Sequence, residues 1–101
     1  MSRDIYSSAA HRDVRRALDY YKREAGVEVA NDFIDQLESK VAKILQSPES
    51  FHVVTKDLRC ANLNRFPYQI VYRVVKSTIR VVSIRHHKRH PDFGLDRLNL
   101  T

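Results

Sequence analysis

The sequence predicts an α+β fold in which an N-terminal helical hairpin packs on one face of a small antiparallel β-sheet, in the order β-α-α-β-β-β. Three observations predict it. Apolar residues recur every three or four positions through the first half, the helical period. The second half holds Val-, Ile- and Tyr-rich runs bounded by turn residues, with side chains sorted onto two faces at the strand period over Tyr68–Val75. The breaks between the two helical stretches and between the last two strands are one or two residues long, so each reverses the chain.

The run from Arg3 to Tyr6 is read as a short first strand. Ser7 or Ser8 then supplies an N-cap, and Ala10, Val14, Ala17, Leu18, Tyr21 and Ala25 fall on one helical face. Gly26 stops this helix in a backbone conformation that other residues avoid. A second helix begins near Val27–Glu28, with Ala30, Phe33, Ile34, Leu37, Val41, Ile44 and Leu45 as its apolar stripe. Asp32, Asp35 and Glu38 lie off that stripe. Pro48 ends the helix around Gln46–Ser47. Strands are expected over Leu58–Arg65, Tyr68–Val75 and Thr78–His87. In the second of these, Tyr68, Ile70, Tyr72 and Val74 share one face, opposite Gln69, Val71, Arg73 and Val75. Only Lys76 and Ser77 separate the last two strands, which makes them a tight hairpin. Pro67 sits at a strand start, where a missing N–H costs no ladder bond, and Pro91 ends the last strand. The 101 residues read as one domain, with residues 91–101 as a C-terminal tail.

Composition narrows the function classes. An apolar share of 43% supports a folded core and argues against disorder. Cys60 is the single cysteine, so no internal disulfide forms, whereas a secreted domain of this size usually carries several cysteines. No apolar run approaches the roughly 20 residues needed to span a membrane. Met1-Ser2-Arg3-Asp4 leads into mixed sequence, without the apolar stretch of a signal peptide. A cytoplasmic protein with no membrane contact is expected. The net charge of +6 is uneven: residues 1–58 hold nine Lys/Arg against ten Asp/Glu, and residues 59–101 hold nine against two. The sheet-forming part therefore carries +7, a field that attracts polyanions or an acidic partner.

The stretch Asn64-Arg65-Phe66-Pro67-Tyr68-Gln69-Ile70-Val71-Tyr72-Arg73-Val74 resembles the central strand of RelE/ParE-superfamily toxins, where an Arg-Phe-Pro-Tyr element leads into an apolar-Tyr-Arg-Val strand. Ala17-Leu18-Asp19-Tyr20-Tyr21 is similar to that family's helical hairpin, as is Ala30-Asn31-Asp32-Phe33-Ile34-Asp35-Gln36-Leu37. Ile84-Arg85-His86-His87-Lys88-Arg89-His90-Pro91 is similar to its last strand and basic exit. The resemblance runs from about Ser8 to Pro91. It implies the toxin of a type II toxin–antitoxin pair, bound and silenced by a cognate antitoxin. Within the superfamily, ribonuclease-type members cut mRNA in the ribosomal A site and ParE-type members trap DNA gyrase. A shared scaffold does not choose between these targets.

Residues do discriminate. Metal-free RNA cleavage needs a base for the ribose 2′-OH, cations for the phosphorane-like charge and an acid for the leaving oxygen. Arg73 and Arg85 would stabilise phosphate and His87 would act as base or acid, with Arg73 expected near the strand that carries Arg85 to His87. The resemblance also shows departures from the ribonuclease branch. Gln69 stands where several of its members place an arginine, and Lys88 stands where an aromatic would follow. The long amphipathic hairpin and the Arg-Phe-Pro-Tyr run look closer to the ParE branch, in which Arg65, His86, Lys88 and Arg89 would contact the target. His86, His87 and His90 do not suffice for zinc, since Cys60 is the only thiol and Pro91 turns the chain; neither metal nor cofactor is expected. The helices are nearly balanced in charge, which argues against sequence-specific DNA binding by this chain alone. Tyr21 and Tyr72 are read as core, and Tyr20 lies off the stripe.

Overall fold

The computed structural model describes residues 5–86. Two helices come first, α1 (Ser8–Glu24) and α2 (Val27–Gln46), then a single 3-10 turn at Pro48–Ser50. Four strands follow: β1 (His52–Val53), β2 (Leu58–Asn62), β3 (Tyr68–Val75) and β4 (Thr78–His86). They form an antiparallel meander in the order β1-β2-β3-β4. The α+β architecture, with the hairpin on one side of the sheet, is the one the two periodicities predict.

Local chemistry sets the boundaries. Ser7 is the N-cap of α1: its hydroxyl accepts from the Ala10 N–H at 3.0 Å and donates to the Val82 carbonyl at 3.2 Å. Its own N–H donates to the Val81 carbonyl at 2.9 Å, so the cap also ties the start of the helix to the edge of β4. At the other end, the N–H groups of Ala25 and Gly26 both donate to Tyr21, and Gly26 turns the chain at φ 100°, ψ 166°. That region is essentially closed to side-chain-bearing residues. Lys76 and Ser77 make the β3–β4 turn with φ 50° and 68°, the double left-handed geometry that matches strand twist.

The core lies between helices and sheet. Ala30, Phe33, Leu37, Val41 and Ile44 line α2 at helical spacing and are buried. They meet Tyr68, Ile70 and Tyr72 of β3 and Ile79, Val81 and Ile84 of β4. At its centre the rings of Tyr21, Phe33, Phe66 and Tyr68 contact one another, with centroids 5.2 to 6.3 Å apart and mostly edge-on, the geometry that aromatic quadrupoles favour. Tyr72 is fully buried and its hydroxyl donates to the Pro48 carbonyl. The opposite face of the sheet carries a smaller apolar cluster, Leu58, Cys60 and Val71 with Val54 and Val82.

Two strands differ from expectation. The first strand reduces, among the described residues, to a single parallel bridge between Tyr6 and Val81; Arg3 and Asp4 lie outside the described residues. The chain instead adds β1 at the far edge, paired with Arg59 and Cys60. The strand expected over Leu58–Arg65 ends at Asn62, because Leu63 and Phe66 turn inward as core residues and Tyr68 N–H closes a turn onto Phe66. The register between β3 and β4 slips once: Val71 faces Ser83 and Tyr72 faces Val81, leaving Val82 as the extra residue of a bulge.

Beside that bulge sits a buried carboxylate. Asp13, only 8% exposed, occupies a position on the inner stripe of α1 between Ala10 and Ala17. One oxygen accepts from the Ile84 N–H at 2.9 Å and from the Ser83 hydroxyl at 3.3 Å. Asp13→Ala would leave a buried backbone donor without its acceptor and should cost about 1–3 kcal/mol. Denaturant unfolding followed by circular dichroism measures this; a loss below a few tenths of a kcal/mol would show that the contact contributes nothing.

Candidate functional site

Arg73 and Arg85, two of the residues singled out from sequence, lie on the outer face of the sheet. Gln69 is central on that face, opposite Asn62 on one side and Arg85 on the other. Its amide donates to the Asn62 side chain at 2.9 Å and its carbonyl oxygen accepts from the Arg85 Nε at 2.7 Å. A polar ladder thus crosses three strands, from Asn62 through Gln69 to Arg85. Burial pushes the Cys60 thiol up, and the charge of Arg85 partly opposes it.

Arg73 is not brought to Arg85. It faces Arg80 across the hairpin, four positions along β3 from Gln69, a separation of about 13 Å at strand rise. Its Nε lies 3.4 Å from an Asp57 carboxylate oxygen. Arg65 projects into solvent from the β2–β3 loop, with its guanidinium 3.5 Å from Asp32 and 5.9 Å from the Phe66 ring centre. These contacts are exposed and weak. His87, Lys88 and Arg89 lie outside the described residues.

His86 follows Arg85 directly but takes the other face. It pairs with Tyr68, and the two rings meet nearly edge-on with centroids 5.0 Å apart. Together they form one wall of a cavity of about 400 Å³ between α1 and the end of β4. The opposite wall is Arg16, Tyr20 and Arg23, spaced four and three residues apart on the exposed side of α1. Sequence reasoning left Tyr20 open and passed over Arg16 and Arg23. The signal was present as a polar stripe at helical spacing beside the apolar one. Asp13 was missed as well, although an acid between two core alanines marks a position that must find a buried partner.

Among the described residues no three His, Cys, Asp or Glu side chains gather to hold a metal ion. Among them, too, no helix is long and apolar enough to cross a membrane.

The family model described as the ParE toxin of the type II toxin–antitoxin system parDE matches residues 5–91. No curated protein matches the chain significantly. Among solved structures, the chain is similar to one from the chromosomal ParDE toxin–antitoxin system of P. aeruginosa. That match has 20% identity and a TM-score of 0.71, covering 80% of this chain and 90% of that one. It is also similar to the isolated E. coli RelE toxin, with 20% identity and a TM-score of 0.56, covering 95% of each chain. At such identities the likeness bears on the fold.

The buried, raised-pKa thiol leads to a simple test. At pH 8, a small alkylating reagent should modify Cys60 in the folded protein at least tenfold more slowly than in the denatured chain, since the thiolate is the reacting form. Equal rates in the two states would contradict the burial described.

Proposed function

The chain belongs to the ParE toxin family of type II toxin–antitoxin systems, and from that premise we propose that it inhibits DNA gyrase and is kept silent by a cognate antitoxin. The family match over residues 5–91 carries this reading. The geometry of the candidate arginines supports it. Arg73 and Arg85 share the outer face but have different partners: Arg73 is engaged with Asp57, and Arg85 with Gln69. With about 13 Å of strand between their rows and a separate partner holding each, the two arginines do not converge on one phosphorane. Gln69, a neutral side chain bonded on both sides, supplies no fixed charge between them.

In this reading the toxin is a single cytoplasmic domain that acts by binding. Arg65, His86, Lys88 and Arg89 contact the target. The antitoxin contributes an acidic, amphipathic segment that folds as it binds; charge speeds encounter and apolar burial holds the complex.

Purified toxin should block gyrase supercoiling and accumulate gyrase-cleaved DNA, and Arg65→Ala should weaken that inhibition several-fold. Ribosome-bound mRNA cleavage in place of gyrase inhibition overturns the proposal; in that event His87→Ala should abolish cutting and leave antitoxin binding intact. Affinity for the antitoxin should fall as salt is raised from about 50 to 300 mM, because exposed charges are screened over a Debye length. Calorimetric titration across that range checks it, and a flat profile counts against charge-guided recognition.

A further inference from the structure

The cavity between α1 and the end of β4 has a composition that inhibition of a protein target does not call for. Its walls combine two arginines of α1, Arg16 and Arg23, with the aromatic residues Tyr20, Tyr68 and His86; Arg85 also borders it, with its Nε held by Gln69 on the outer face. Asp13 and Asp19 also line it, but the Asp13 carboxylate is directed at the Ile84 N–H and the Ser83 hydroxyl. At about 400 Å³ the space falls within the range of roughly 300–1,000 Å³ found for small-ligand sites.

We propose that this cavity binds one nucleotide unit, a base joined to a phosphate, presented either as a free mononucleotide or by a single strand. An acidic peptide would need the cations alone. Stacking faces next to guanidinium groups suit a flat base carrying a phosphate. Tyr20 is 45% exposed and stands between Arg16 and Arg23 on the same side of α1, so a base laid on its ring brings its phosphate within reach of both. Across the cavity, Tyr68 and His86 meet edge to face, and His86 presents the second surface. Arg85 is held toward the outer face by Gln69, which leaves the phosphate to Arg16 and Arg23. The inference does not rest on gyrase being the target.

Fluorescence anisotropy of the full chain with a labelled single-stranded hexanucleotide, in DNA and RNA forms, tests it, with AMP titrated separately and as a competitor. Binding of AMP alone assigns a free nucleotide; binding of the hexanucleotide only assigns a strand. In either case Tyr20→Ala should weaken binding roughly 5- to 100-fold, the range for losing one stacked base, while Tyr20→Phe retains it. Arg16→Ala with Arg23→Ala should weaken it comparably and lower the salt slope by about one phosphate contact. Lys43→Ala with Lys56→Ala, exposed cations elsewhere, should have little effect. Three results overturn the proposal: no binding of either probe at millimolar concentration, full affinity in Tyr20→Ala, or an equal loss in the Lys43/Lys56 control. All substitutions are at exposed positions, so circular dichroism distinguishes lost binding from lost fold. Gyrase inhibition by the same variants is read independently.

Discussion

A buried carboxylate on the first helix holds the last strand, and much of the molecule's geometry follows from that attachment. α1 meets the sheet along β4, an edge strand whose outward backbone groups would otherwise face solvent. Asp13 accepts the Ile84 N–H, and Ser7 bonds to the carbonyls of Val81 and Val82. Together they fasten the helix to that edge on both sides of the bulge. Apolar contact alone would let a helix slide or rotate over a sheet, because hydrophobic attraction has no direction. A carboxylate that accepts from the Ile84 N–H and the Ser83 hydroxyl sets the position. Through it Arg16, Tyr20 and Arg23 are held opposite His86, and the cavity exists because they are.

The sheet then sorts chemistry by face. Toward the helices it presents Tyr68, Ile70 and Tyr72, joined to the aromatic group around Phe33. Away from them it presents the Asn62–Gln69–Arg85 ladder above a small apolar patch, with Arg73 and Asp57 at the far end. Among the described residues, three arginines of the second half sit in different settings: Arg85 tethered in the ladder, Arg73 paired at the hairpin end and Arg65 beside the loop at Phe66.

Much of this was legible in the residues. The helical stripes, the Gly26 reversal, the alternation in β3 and the two-residue hairpin all follow from periodicity and turn chemistry, since each is specified by residues adjacent in the chain. Ser7 as cap and Tyr21 and Tyr72 as core were equally readable. What escaped depends on long-range pairing. The His52–Val53 strand is too short to show a period and exists because Arg59 and Cys60 offer an edge. Asp13 interrupts an apolar stripe in a way that makes sense only once Ile84 lies beside it. The separation of Arg73 from Arg85 is a matter of register, which residue types alone do not fix. Expected neighbours along the chain, Arg85 and His86, likewise divide between the two faces.

That division has its origin in Val82. Before it, β4 keeps step with β3, and Ile79 and Val81 turn inward. The supernumerary residue shifts the pleat by half a period, so that Ile84 and His86, rather than Arg85, come to the helix side. Had the strand one residue fewer, the guanidinium would be driven into the aromatic interior and the imidazole turned out to water. The chemical identity of each surface is therefore encoded in strand length as much as in side-chain type. Relatives that gain or lose a residue here would exchange the roles of adjacent positions while their aligned sequences looked nearly unchanged.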